Sequence, residues 1–489
     1  MMRVFLNFLA LTLVWGVSFV ASQAQSPRVY PIPGAGFGPM SPVVGDHDGV
    51  ASNGLEIVLT TLDGTVQMLS GTGAVLWSVN TPNSSCALAG SGDRLYSSAV
   101  VGDLFGNGER YVVVGYGGYR GKECDGGVAA YKAKTGELAW VFSIKAFAKR
   151  ERFFAFRHAV YATPTLADVD RDGDLEIGFG SFDRNVYLLN SDGSVRWYYH
   201  AADTVFSSPS FLDVGGDGAL EMIIGTDISR NPRLKPPTQD GGYLYALRAG
   251  INKPAGTKFG FRSGELQLWR TSFNQVMQSG AALGELIPDN PGLEVVVGSG
   301  CFFPQKRGAR RGKWYKVLSA RNGRVLRTLA VGACTPSAPA VGDVDGDGVA
   351  EVVVTASGDE RPGRDGPSRL IAWKPASNQV LWNIHPSLEG RTDALGGQYR
   401  RTPTVVDLNR DGRVEVLINY RNGVVIVDGV SGTQLSCDSS RCSKPLLKVD
   451  STLQGSPVVA DLDGDGVSEV IVAGRTDGVN GVVVWSGVL

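Results

Sequence analysis

The sequence has little of what marks a catalytic or nucleic-acid-binding chain. Its formal net charge is −1 over 489 residues, so no positive excess is available to a phosphate backbone. Histidine is scarce: His47, His158, His200 and His385 are scattered, and each reads as structural. No G-x-S-x-G or H-E-x-x-H motif occurs. The stretch "GARRGKW" fails as a phosphate loop, because its spacing is short and Trp314 replaces Ser or Thr. No catalytic residue is assigned on this basis. No segment of useful length carries a helical apolar period. Beyond residue 24 no apolar run is long enough to span a bilayer. Glycine, by contrast, is abundant: 65 residues, about twice the usual share. It shows no collagen-like period, so the excess calls for many tight turns. The length admits several ordinary domains or one large all-β unit.

Residues 1–24 read as a signal peptide, with Arg3 as a short positive region, the apolar run "VFLNFLALTLVWGVSFV", and Ser22 and Ala24 as small residues at the cleavage point. An uncleaved anchor is the rival, but no basic stop-transfer cluster follows. No cysteine follows the run either, which argues against a lipoprotein. The six cysteines, Cys86, Cys124, Cys301, Cys334, Cys437 and Cys442, all lie in the mature part, and an even count in an exported chain fits disulfides. "CDSSRC" can close a short Cys437–Cys442 loop. Cys86 with Cys124 and Cys301 with Cys334 is the simplest remainder, and buried free thiols are the alternative. The one sequon, at Asn83, is no evidence of glycosylation.

Residues 25–489 carry a repeat. "DVDRDGDLE" (168–176), "DVDGDGVAE" (343–351), "DLNRDGRVE" (407–415) and "DLDGDGVSE" (461–469) are full copies. "DVGGDGALE" (213–221) is weaker, and three eroded copies begin at Asp46, Asp103 and Glu285. The eight copies recur at blade-sized intervals. A short strand such as "TPTLA" or "APAVG" precedes each copy, and a run such as "EVVVT" follows it. A third strand and a polar hairpin lead to a fourth strand, in which Trp77, Trp140, Trp197, Trp269 and Trp382 hold one recurring place. The expected fold is all-β: a single β-propeller of eight four-stranded blades. The tryptophans are expected to pack between blades. The last unit stops after its third strand, "GVVVW", and "SPRVYPIPG" is expected to donate the missing fourth, leaving no open edge.

Carboxylates at positions one, three and five of a tight turn, glycine at six and glutamate at nine make an oxygen cage suited to Ca²⁺. Without a cation these carboxylates repel one another. An EF-hand is rejected, because its glutamate falls at position twelve and helices flank it. The candidate metal ligands are Asp168, Asp170, Asp172, Asp174 and Glu176; Asp343, Asp345, Asp347 and Glu351; Asp407, Asn409, Asp411 and Glu415; and Asp461, Asp463, Asp465 and Glu469. The 213–221 copy is left open, and the eroded copies are expected to hold no metal.

"DVDGDGVAE" between "APAVG" and "VVVT" resembles the FG-GAP/VCBS repeat of the integrin α-subunit propeller and its bacterial relatives. Segments such as "GVAAYKAKTGELAW" resemble the blades of quinoprotein-type propellers. The resemblance implies Ca²⁺ between strands one and two, holding the blade rather than catalysing. Eight units instead of the integrin seven leave the integrin partner surface unsupported.

Because strands alternate, all acidic loops should open on one face and the long insertions on the other. Those insertions are basic: Arg120 and Lys122; Arg230, Arg233 and Lys235; Lys306, Arg307, Arg310, Arg311 and Lys313; Arg361, Arg364 and Arg369. The connection "KAFAKRERFFAFRH" adds Lys145, Lys149, Arg150, Arg152 and Arg157 beside Phe153, Phe154 and Phe156. Arg150, Arg152, Phe153, Arg157, Arg233, Lys235, Lys306, Arg307, Arg310 and Arg311 are the candidate ligand-binding residues. Guanidinium groups on such a surface suit carboxylate or sulfate. The expectation is a secreted, extracellular or periplasmic monomer that binds an anionic glycan or a cell-surface protein, with no nucleic-acid partner. The alternatives are an enzyme, either a polysaccharide lyase or a quinone-dependent dehydrogenase, and an envelope assembly scaffold. The dehydrogenase lacks the adjacent cysteine pair many such enzymes use, and no lyase base stands out.

Overall fold

The computed structural model describes residues 27–32, 36, 40–82, 97–118, 124–153, 155, 157–230, 232, 237–252, 263–300, 302–303, 311–335, 337–356, 369–386, 402–420, 422–437, 442 and 444–488. The signal segment lies outside them.

Eight antiparallel four-stranded sheets form a ring; seven run from an inner strand to an outer one in chain order, and the eighth takes its outer strand from the start of the chain. Blade three is representative: Thr165–Ala167, Glu176–Gly180, Asn185–Leu189 and Val195–His200. Its second and third strands are wholly buried, which is why such strands read as unbroken apolar runs without alternation. Each inner strand contacts the inner strands of both neighbours, and the last, Thr452–Ala460, contacts the first, Val43–Gly45, closing the circle. The core therefore lies between blades. One cluster joins Val353 and Ala372 of blade six to Val416, Ile418 and Val425 of blade seven. Each such side chain contributes about 1.5–3 kcal/mol on burial.

Closure is as expected. Arg28–Pro31 pairs antiparallel with Val479–Trp485 and completes blade eight, with Tyr30 opposite Val482.

The tryptophans hold the seams. The indole N–H groups of Trp77, Trp140, Trp197, Trp269 and Trp382 donate to the carbonyls of Ala133, Ser191, Ala249, Ala320 and Gly429 in the following blade, at 2.6, 2.9, 3.3, 2.6 and 2.7 Å. Two other residues fill the same role where tryptophan is missing. The Arg327 Nε donates to Pro375 O at 3.1 Å between blades five and six, and the Tyr30 hydroxyl donates to Gly71 O at 2.8 Å between blades eight and one. The receiving hairpin must come close to the ring. Gly323 has φ +69°, and a Cβ there would stand 2.5 Å from the Trp269 ring.

Two features depart from regularity. The outer strand of blade seven is only Leu447–Lys448, because the Cys437–Cys442 disulfide loop interrupts it. Cys124 and Cys334 are also disulfide-bonded; Cys86 and Cys301, their expected partners, lie outside the described residues. The connection after blade two contains a helix, Ile144–Glu151, capped by Ser143, whose side chain accepts from the Ala146 N–H. Its two turns are too short for a periodic sequence signal. Among the described residues no helix is long and apolar enough to cross a membrane.

Deleting residues 27–31 should expose the edge of Val479–Trp485 and produce self-association on gel filtration that the intact chain does not show. Trp269→Ala should lower the urea-unfolding free energy by about 3–5 kcal/mol through loss of packing and of the seam hydrogen bond.

Candidate metal centres

Every acidic loop joins the first and second strands of its blade, so all eight open at one end of the ring. Neighbouring loops touch: Leu175 N–H donates to Leu104 O at 2.9 Å, Leu55 N–H to Leu462 O at 3.4 Å, and Arg410 lies 3.9 Å from Asp461.

Two interactions build the regular loops; blade two has Tyr111 in place of the glutamate, and blade five has Glu285 in place of the first aspartate. The aspartate at position one accepts backbone N–H groups across the turn. Asp168 takes those of Arg171 and Gly173 at 2.6 and 3.2 Å, and Asp343 takes those of Gly346 and Gly348, both at 2.8 Å. The glutamate at position nine is buried at the start of the second strand, where its Oε2 accepts the N–H of position two. Glu176, Glu221, Glu351, Glu415 and Glu469 bind the N–H groups of Val169, Val214, Val344, Leu408 and Leu462 in this way, at 2.8–3.1 Å. Burial raises the carboxyl pKa of Glu56, Glu176, Glu221, Glu294, Glu351 and Glu415, and pushes Glu176 up to about 7.

The second glutamate oxygen meets a different partner from blade to blade. In blade five the Asn290 amide donates to Glu294 Oε1 at 2.6 Å. In blade three the buried Arg196 Nη1 lies 2.9 Å from Asp170 and 3.9 Å from Glu176. In blade eight the half-exposed Arg28 lies 3.5 Å from Glu469 and 3.8 Å from Asp463. In blade six Lys374 Nζ lies 3.1 Å from Glu351, 3.0 Å from Asp345, and against Asp347. Burial works against the Lys374 charge, but the three carboxylates raise its pKa, and Lys374 in turn holds the Asp347 carboxyl below its ordinary value.

Among the described residues four clusters bring three carboxylates to within 4.8 Å and could hold a metal ion: Asp46, Asp48 and Glu56; Asp168, Asp170 and Glu176; Asp343, Asp345 and Asp347; and Asp461, Asp463 and Asp465. The blade-eight loop fits a cation, because Asp461 Oδ1 is buried with no hydrogen-bond partner, and Arg28 at its rim is a competing charge. In the blade-six loop Glu351 Oε1 is buried too, and the Lys374 ammonium stands 3.1 Å from it among the carboxylates. In blade three Asp172 stays outside the tight cluster, and Asp174 is engaged by the Ser191 hydroxyl at 2.9 Å. The Asp407, Asp411 and Glu415 carboxylates do not gather so closely, and Asn409 donates its amide to Asp411 at 3.0 Å.

Three features escaped the reading of the sequence. The eroded first loop, expected to be empty of metal, gathers its acids: a short 3₁₀ turn, Ala51–Asn53, absorbs the extra residues, and Glu56 still accepts the His47 N–H at 2.7 Å. Arg196 and Lys374 were also missed. For Lys374 a signal exists, because it follows the third strand's apolar run and the hairpin register sets it opposite position nine.

Arg233, Lys235, Lys306, Arg307 and Arg310 lie outside the described residues. The helix after blade two runs back along the rim, so Arg150 lines a cleft with Asn190, Gly193 and Ser194 of the blade-three outer hairpin and does not share the far face. It sits 5.0 Å over Phe147 and bonds Glu151 at 3.0 Å. Arg152 takes the left-handed cap position, φ 58°. Phe153 is half-buried, stacked 5.8 Å from Tyr198. Arg157 precedes His158, whose Nδ1 lies 3.2 Å from Cys124 O. Arg311 lies 3.8 Å from Asp240 and 6.0 Å from the Phe303 ring.

The raised glutamates have a pH consequence. A carboxyl whose folded-state pKa lies above its unfolded value favours the fold while protonated, and this is lost as pH rises, for Glu176 through about 7. Thermal scans in chelator should therefore show a lower midpoint at about pH 8 than at about pH 5. Saturating Ca²⁺ should narrow that difference.

A family model described as the FG-GAP repeat matches residues 335–368, and one described as outer membrane protein assembly factor BamB matches residues 40–173. No curated protein matches the chain. Among solved structures, a quinohemoprotein alcohol dehydrogenase from Pseudomonas putida HK5 is 13% identical with TM-score 0.58, covering 94% of this chain and 75% of its own. A computationally designed protein, Ika8, is 15% identical with TM-score 0.52, covering 92% and 97%. BamB from Moraxella catarrhalis is 13% identical with TM-score 0.49, covering 92% and 98%. At such identities the likeness is one of fold. The chain is an eight-bladed β-propeller of quinoprotein-like form that carries an FG-GAP repeat in its sixth blade.

Proposed function

We propose that this protein is an exported, calcium-stabilised propeller that works as a binding or adhesion module for an anionic glycan or an acidic cell-surface protein. The observation that carries the reading is the division of the ring into two ends. Carboxylate loops crowd one end, while the long insertions, rich in arginine and lysine, belong to the strand two-to-three turns that open at the other. A carboxylate- or sulfate-bearing partner is attracted to the second end and repelled by the first. Arg157 and Arg311, with Arg233, Lys235, Lys306, Arg307 and Arg310, are the residues assigned to it. The Ca²⁺ ions sit in the loops of Asp461 and Asp168, with Arg28 and Arg196 as the respective competing charges. Their part is to hold the loop that starts each second strand, with no chemistry on a ligand. An envelope or extracellular location suits the disulfides, which persist in oxidising compartments.

The test is retention on an acidic polysaccharide column with a salt gradient. The intact protein should elute at clearly higher salt than the variant K306Q/R307Q/R310Q/R311Q, because removing positive charge weakens the attraction that salt must screen. Equal and weak retention of the two would count against the reading.

A further inference from the structure

The loop of blade six has the composition of a calcium loop, yet a side chain fills it. Arg369–Lys374 is the third strand of that blade, and its register, Val352 opposite Trp373, sets Lys374 opposite Glu351. The ammonium reaches Asp345 at 3.0 Å, Glu351 at 3.1 Å, and Asp347. The fourth carboxylate, Asp343, is taken up by the N–H groups of Gly346, Asp347 and Gly348. The Lys374 side chain is 12% exposed. It is packed in place rather than folded over the loop from solvent. A divalent ion bound among these carboxylates would stand a few ångströms from the ammonium, and two like charges at such a distance in a partly buried site repel strongly.

The corresponding position varies between blades. Ser70 faces Glu56 in blade one, Ser319 faces Glu294 in blade five, and Asp428 faces Glu415 in blade seven. Arg248 faces Glu221 in blade four and Lys132 faces Tyr111 in blade two, but Arg248 donates to Glu265 O at 3.2 Å and Lys132 pairs with Glu137 at 2.9 Å, whereas Lys374 enters its own loop. The position opposite the loop glutamate is therefore where the chain can add or withhold a fixed charge. We infer that the Lys374 ammonium replaces the metal ion in the blade-six loop, so that this FG-GAP loop is closed to Ca²⁺ and holds its blade without metal. The position opposite the buried glutamate then helps to decide which loops of the ring take an ion. The inference refines the calcium reading above by removing one loop from it.

Equilibrium dialysis against Ca²⁺ with the full chain tests it. K374S, which installs the residue found in blades one and five, should bind one more Ca²⁺ per chain than the unaltered protein. Its melting temperature in chelator should fall and be restored by Ca²⁺. D345N/D347N in the unaltered protein should leave the number bound unchanged, and the same pair added to K374S should remove the extra ion. A folded K374S that binds no additional Ca²⁺ would overturn the inference, as would loss of one bound ion on D345N/D347N alone. Should K374S fail to fold, K374Q offers the same comparison, and the D345N/D347N measurement decides without either. If the unaltered protein binds no Ca²⁺, the calcium reading fails, while a gain by K374S still upholds this inference.

Discussion

A blade has two apolar faces, and only its neighbours can cover them. The seam between blades is the constraint on which the rest depends. At most seams a tryptophan donates its indole N–H to a carbonyl just past the third strand of the next blade. That same residue donates its own N–H to the last residue before the buried position nine of the acidic loop. Trp269 binds Ala320 O, and Ala320 N–H binds Leu293 O, next to Glu294. The chain recurs through Ala133 and Arg110, Ala249 and Leu220, and Gly429 and Val414. The seam and the acidic loop are thus parts of one hydrogen-bonded unit, and disturbing either disturbs the other. Between blades seven and eight the disulfide loop displaces this device. There the Asn419 amide donates to Gly455 O at 2.7 Å, tying blade seven to the inner strand of blade eight.

The buried glutamates set the second constraint. A carboxylate taken out of water must be paired or protonated. One oxygen is satisfied by the turn itself in every loop of this kind. For the other, the chain uses an amide, a guanidinium or an ammonium, according to what the adjoining strands present. These solutions differ in reach and mobility. Arg28 is half-exposed and lies 3.5 Å from Glu469; the buried Arg196 lies 3.9 Å from Glu176 but 2.9 Å from Asp170; and Lys374, largely covered, lies 3.1 Å from Glu351. A metal ion is one way among several of neutralising the same acid cluster, and each loop carries its own version.

Much of this was legible in the residues. The repeat of Asp-x-Asp loops before apolar runs announced eight blades, and the missing last strand announced the closure by Arg28–Pro31. The five tryptophans announced their seams, because a large apolar ring at one fixed place in a repeat has to be covered by something in the next repeat. What was illegible has physical reasons. Tyr30 and Arg327 do the work of a tryptophan with different chemistry, so the pattern of residue types breaks while the hydrogen bond persists. The first acidic loop hid behind an insertion that a single helical turn absorbs. The basic connection after blade two looked like part of one charged face, but it folds back as a helix along the rim, with Arg150 against the blade-three hairpin.

The sequence by itself determined the blade count, the strand order, the closing strand and the positions of the acidic loops. All of these follow from local alternation, turn chemistry and a repeat that must stack to bury its faces. Only the tertiary structure decided which carboxylates meet, and what meets them. Charge neutralisation depends on side-chain reach between strands, and Arg196 and Lys374 lie some twenty residues beyond the loops they enter. Pairing across a sheet converts that separation into direct contact, and it does so through register, which the order of residue types along one strand does not contain.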